Sequence, residues 1–221
     1  MSTLTEIARD LIGRTRAERS CCEGAPIVAL PAPQTSGGMP LMDALTRRHS
    51  TREFSPAELP PQVVSNLLWA AFGVNRRPGH ERTAPSARDE RDVELYVAMA
   101  GGLYLYDAVA HRLCRVAAMD ARKVTGFQDF VDDAPMDLVF VAHHDPIGAQ
   151  DEERRMIHSA VAAGAIAQNV YLYCASAGLA TVVRGWFNPL ALAQVLGLRD
   201  NEHVIVAQTV GYPAAAQLAG A

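Results

Sequence analysis

The chain has 221 residues, with 24 acidic and 20 basic side chains, a formal net charge of −4 and 49% apolar content. That length suits one domain with an extra arm, and the apolar content is too high for a disordered chain. Without a net positive footprint, nonspecific binding to nucleic acid or a membrane surface is excluded as the main function.

The N-terminal stretch alternates charges and lacks the apolar segment of a secretory signal; residues 2–20 read as a polar helix. Pro26, Pro31, Pro33, Gly37 and Gly38 then break the pattern, so residues 1–38 are expected to form an arm and residues 39–221 the domain. A helix is predicted over 40–48. Residues 49–55 read as strand or loop. Pro60 and Pro61 open a second helix, in which Val63, Val64, Leu67, Leu68 and Ala71 recur at helical spacing up to Gly73.

Residues 74–92 read as loop. Strands are predicted over 93–100, 103–106 and 113–117, the first two joined by a Gly101-Gly102 turn. A helical patch over 118–131 and a short buried strand over 138–142 follow. The long helix over 151–177 contains the most apolar stretch, 159–177, which is long enough to raise a membrane reading. Gln168, Asn169 and Ser176 inside it argue for a buried helix in a folded core instead. A strand over 179–183, a helix over 190–196 and a strand over 204–210 complete an α+β pattern around a mainly antiparallel sheet.

Three segments could carry chemistry. In an extended stretch, Arg48, Ser50 and Arg52 point one way, two guanidinium forks around a hydroxyl that could clamp a phosphate. The same residues could equally be a solvated cluster capping the carbonyls of the preceding helix. The Arg-Thr-Ala-Pro-Ser-Ala run over 82–87 is a functional loop or an ordinary Pro-Ser turn. The strand ending in Val183-Arg184-Gly185 could lay backbone donors against a planar ligand, or simply send Arg184 to solvent.

Other features carry less. His143 and His144 follow a strand and point to opposite faces, so a turn is expected there and no metal site. Cys21, Cys22, Cys114 and Cys174 form no CxxC pair and no zinc spacing, and a reducing, cytoplasmic location is the default. Tyr171 and Tyr173 read as core residues of the long helix.

In their order and spacing, these segments resemble the nitroreductase family of FMN-dependent oxidoreductases. The resemblance rests on Arg-His-Ser-Thr-Arg-x-Phe at 48–54 and Arg-Thr-Ala-Pro-Ser-Ala at 82–87. Gly-Leu-Tyr-Leu-Tyr-Asp at 102–107, Gln-Asn-Val-Tyr-Leu-Tyr at 168–173 and Gln-Thr-Val-Gly-Tyr-Pro at 208–213 extend it. It implies an α+β fold forming an intertwined homodimer with FMN at the subunit interface, the small-residue helix after Ser159 at its centre and the arm reaching over the partner.

By the same resemblance, Arg48, Ser50 and Arg52 would hold the flavin phosphate, with His49 adding a polar contact. Pro85, Ser86 and Ala87 would line the ring from the partner subunit. Val183, Arg184 and Gly185 would run along it near N5, with Arg184 stabilising charge on the reduced flavin. The implied activity passes a hydride from NADH or NADPH through FMN to a nitroaromatic, quinone or similar flat acceptor. No side chain need act as general acid or base. The same fold also suits a dehydrogenase of azoline rings in modified peptides, or a non-catalytic relative with a degraded flavin site.

Three departures bear on flavin binding. Asp89 stands where the family usually has an Asn against the flavin pyrimidine edge, and its carboxylate would accept from N3–H while repelling the neighbouring carbonyl. Arg91 replaces a frequent Gln, and no basic residue follows Pro213, where some relatives supply one to the phosphate. Weaker flavin binding than in typical members is the expectation.

Overall fold

The computed structural model describes residues 24–76, 80–87, 91–144 and 152–214. Among the described residues, ten strands and four α-helices alternate along the chain. The strands are β1 (Ile27–Ala29), β2 (Phe54–Ser55), β3 (Val74–Arg76), β4 (Glu81–Arg82), β5 (Val93–Met99), β6 (Gly102–Asp107), β7 (Arg112–Ala117), β8 (Met136–His143), β9 (Ala180–Arg184) and β10 (Glu202–Pro213). The helices are α1 (Leu41–Arg47), α2 (Pro61–Phe72), α3 (Glu152–Ala177) and α4 (Pro189–Leu196).

Eight strands form one sheet in the order β1-β7-β6-β5-β8-β10-β2, with β9 also paired to β10. All the described pairings are antiparallel. Strand β8 lies at the centre and is buried along its whole length. Side chains alternate across it, as a strand requires. Leu138 and Phe140 pack with Leu95, Val97, α2 and α3 on one face. Val139 and Val141 pack with Tyr96, Ala98 and Leu192 and Leu196 of α4 on the other.

Helix α3 buries Ser159, Ala162, Ala163, Ile166, Ala167, Val170 and Cys174, a stripe at the helical period. Among the described residues no helix is long and apolar enough to cross a membrane. The opposite side of α3 leaves Ile157 and Val161 exposed, as α1 does Leu41, Met42 and Leu45.

The expected pattern changes in four places. The arm adds β1 to the sheet edge, Ile27 opposite Cys114, and its continuation is pinned to α2 where Ser65 Oγ donates to the Pro31 carbonyl at 2.7 Å. The loop over 74–92 contains the small β3-β4 ribbon. The helical patch over 118–131 contracts to a 3-10 turn, Arg122–Thr125. There Asp120 spends its carboxylate on the backbone N–H and guanidinium of Arg122, a local bond that competes with helix propagation. The last strand continues to Pro213, with Gly211 so close to the Pro135 ring that a Cβ would lie 2.6 Å from it. Cys174 is a free buried thiol, while Cys114 is disulfide-bonded, which departs from the reducing default. Residues 2–20 lie outside the described residues.

Candidate functional site

The N–H of Arg48 closes the last turn of α1 on the Ala44 carbonyl, and the backbone then goes extended. That extended segment runs beside β9: the Thr51 N–H donates to the Thr181 carbonyl at 3.0 Å. Thr51 is buried while Ser50 and Arg52 stay exposed, the alternation expected of extended chain. His49 turns back, its Nδ1–H donating to the Arg47 carbonyl at 2.7 Å. Its ring thus caps the end of α1, a place the sequence reading had offered to the arginines.

One edge of β9 is taken by β10. On the other edge, the Val183 N–H donates to the Tyr171 hydroxyl at 3.0 Å. Ser50 Oγ lies 2.8 Å from that same hydroxyl, and the Arg48 guanidinium sits 5.2 Å from the Tyr171 ring centroid. Tyr171 on α3 therefore joins two of the three candidate segments, although it reads in the sequence as a core residue. A signal was present: Tyr171 flanks the buried stripe of α3 rather than belonging to it, and a tyrosine in such a place needs a partner for its hydroxyl.

Antiparallel residues direct N–H and C=O to the same side, alternating along the strand. Thr181 and Val183 face the open edge, so the next position to do so is Gly185. Gly185 is exposed, and a Cβ built there would meet nothing within 4 Å. The Thr181 carbonyl and the Val183 N–H being engaged, the Gly185 N–H, which takes no acceptor among the described residues, is the next backbone donor in line on this edge.

Arg184 itself corrects the sequence reading: it neither reaches solvent nor offers its charge to a ligand. Its side chain is buried, at 4% exposure, on the reverse face of the sheet. Nη2 pairs with Asp137 Oδ1 at 2.7 Å, Nε donates to Thr209 Oγ1 and Nη1 to the Thr125 carbonyl. Burial pushes the Asp137 carboxyl up to about 6, against the opposing pull of Arg184 and the hydroxyl donors. Burial likewise lowers the Arg184 pKa.

Pro85 and Ser86 lie elsewhere, along a groove of about 460 Å³ lined also by Asn75, Arg76 and Arg82, and Ala87 follows them in the chain. Asn169 of α3 holds this segment by donating to the Thr83 carbonyl at 3.3 Å. Asn169 and Tyr171, two residues apart on a helix, point about 200° from one another. Within one chain, then, the Pro85 segment and the Arg48–Ser50–Tyr171 cluster sit on opposite sides of α3. Asp89 lies outside the described residues.

At the far end of β8, His143 and His144 do diverge to opposite faces. His143 Nδ1 lies 2.9 Å from Glu202 Oε1, with Glu94 close by, and Arg199 also pairs with Glu202. His144 Nε2 lies 3.0 Å from Ser159 Oγ, which donates to Asp92. Burial and the nearby Arg155 lower the His144 pKa.

A model of the Nitroreductase family matches residues 45–212. The chain belongs to the nitroreductase family. A Methanocaldococcus jannaschii protein assigned to the nitroreductases, MJ1384, is 31% identical over 176 residues, covering 72% of this chain and 85% of that protein. The crystal structure of a nitroreductase homologue from Ralstonia eutropha is 51% identical, covers 86% of this chain and 90% of its own, and superposes with a TM-score of 0.81. The NADPH:FMN oxidoreductase of Vibrio harveyi, solved with NAD+, shares the fold at 19% identity and a TM-score of 0.60, covering 78% of this chain and 68% of its own. As a nitroreductase-family member the protein is an oxidoreductase, and its antiparallel sheet flanked by helices is the family fold.

Proposed function

We propose that this nitroreductase-family protein is an FMN-dependent oxidoreductase that passes a hydride from NADH or NADPH to a flat acceptor, such as a nitroaromatic or a quinone. The observation that carries the reading is the β9 edge, where Arg48 and Ser50 gather on Tyr171 beside Val183 and the chain runs on to the exposed Gly185. Those donors fit a phosphorylated flavin. Arg48 and Arg52 offer bidentate forks to phosphate oxygens, Ser50 a hydroxyl, and Gly185 a backbone N–H to the ring. When bound, FMN supplies the two-electron chemistry, and the protein binds and orients it.

A homodimer is part of the proposal. The Pro85–Ala87 segment sits across α3 from the Arg48 cluster, so a second subunit is the means of bringing one copy's segment to the other's cluster. The exposed apolar residues of α1 and α3 (Leu41, Met42, Leu45, Ile157 and Val161) supply a face for that association.

The test is a visible absorption spectrum of the purified protein, loaded with FMN, before and after anaerobic NADH and NADPH. A flavin spectrum bleached by a nicotinamide cofactor is expected. A flavin that neither nucleotide reduces redirects the assignment to azoline oxidation. A protein that takes up no FMN overturns the enzyme reading, with Asp89 the first suspect.

A further inference from the structure

The hydroxyl of Tyr171 stands between a donor that cannot turn and an acceptor that can. The Val183 N–H is fixed by the strand and points at the phenol oxygen. With one lone pair so engaged, the phenol keeps its own proton, and Ser50 Oγ, 2.8 Å away, is the neighbour that receives it. A phenol is the stronger donor of two hydroxyls, which fixes the direction. Ser50 Oγ then accepts from Tyr171, and its own proton is left to point outward, where Ser50 is exposed. The Tyr171 ring meanwhile holds the Arg48 guanidinium by a cation–π contact. Both groups thus present donors on the open side of one side chain.

We infer that Tyr171 is a positioning residue for anion recognition: through a hydrogen-bond chain from Val183 N–H to Ser50, and through its ring beneath Arg48, it sets this site to take a phosphomonoester. The inference rests on the flavin reading above and deepens it: the cluster selects the phosphorylated flavin over the same ring system without a phosphate. Tyr171 touches neither the phosphate nor the ring in this account. It acts through Ser50 and Arg48.

The experiment titrates FMN and riboflavin separately into the full-length protein by flavin fluorescence, for wild type, Tyr171→Phe, Ser50→Ala and the double variant, with thermal melts confirming the fold. Tyr171→Phe keeps the ring under Arg48 and removes only the hydroxyl. It is expected to weaken FMN binding by about five- to tenfold, the size of one net hydrogen bond, while leaving riboflavin within twofold. In the Ser50→Ala background the same change is expected to cost nothing further, because the chain is already cut. Equal loss for both flavins, or full additivity of the two changes, overturns the inference and leaves the flavin assignment standing. A wild type that binds riboflavin as tightly as FMN overturns it as well. Uptake of neither flavin by wild type removes the function proposed above and this inference with it. Ser50→Ala alone, at an exposed position, keeps the question open to decision should Tyr171→Phe fold poorly.

Discussion

Two arginines lie beside β9 and do opposite things. Arg184 is buried on the reverse face of the sheet, where Asp137, Thr209 and Thr125 take its N–H donors. Arg48 is half-buried at the open edge, held by the flat of Tyr171, and no protein acceptor among the described residues takes its donors. A guanidinium whose donors are all spent on the protein is a fastener, whereas one held by its face keeps its fork for something else. From the sequence the two could not be separated. Both stand at the boundary of a helix or strand beside small and polar residues, and both can be read as ligand groups.

The largest effect that could break this contrast is Arg184→Ala. Removing one member of a buried ion pair leaves the other charge uncompensated, at a cost of about 3–5 kcal/mol. Urea unfolding should show it, and a loss below about 1 kcal/mol would mean that Arg184 is no fastener. The double replacement Arg184→Met with Asp137→Leu removes both charges and should recover most of that loss. Arg48 should behave in the opposite way. Arg48→Ala with Arg52→Ala is expected to leave unfolding within about 0.5 kcal/mol of wild type, as surface changes usually do. FMN affinity should nonetheless fall on the order of a hundredfold or more, two charge-assisted contacts being lost. Wild-type flavin occupancy in that double variant would sink the phosphate assignment.

The legible and illegible parts of the chain divide along physical lines. Helices α2 and α3 and the hairpin β5-β6 were readable because periodicity, the Pro60-Pro61 start and the Gly101-Gly102 turn all agree locally. The alternation of Arg48, Ser50 and Arg52 was readable for the same reason. The segment over 118–131 was not, because the Asp120–Arg122 bonds and the Arg184–Thr125 contact decide its shape, and the second of these comes from far along the chain. Strand β1 escaped notice since its pairing with β7 is a tertiary event between short segments. Tyr171 escaped because its partners lie 121 and 12 residues away in sequence, and no periodicity reports them.

A sharper probe of the Arg184 fastening is Gly126→Ala. Gly126 is in extended backbone, so the conformation itself suits alanine. The added Cβ would collide with Nη1 of Arg184 and crowd Gln128 Oε1. Since the guanidinium is held by several acceptors and cannot swing aside freely, the change should cost about 1–3 kcal/mol, as overpacking does. If Arg184 anchors the segment that carries Phe127, the Phe127–Trp186 ring contact at 5.7 Å should loosen with it, reported as a shift in Trp186 fluorescence. A variant as stable as wild type, with unchanged fluorescence, would show that the segment holds without the guanidinium.

The smallest expected effect tests the charge state of the fastener. In the folded protein burial raises the Asp137 carboxyl to about 6, above its unfolded value of about 3.9. Between those values the folded state binds the proton more tightly than the unfolded state does, so stability from this group falls as pH rises through the window. From pH 5 to pH 7 the loss amounts to about 1 kcal/mol. Asp137→Asn is destabilising above about pH 6, where it leaves the Arg184 charge without its counter-ion, and it must also abolish this component of the pH slope. Urea unfolding of both proteins at pH 5 and pH 7 separates the two effects. An unchanged slope would mean that the Arg184 guanidinium and the Thr209 and Thr125 hydroxyls outweigh burial and keep Asp137 ionised throughout. The buried arginine would then be held by a permanent ion pair, and the contrast with Arg48 would be stronger still.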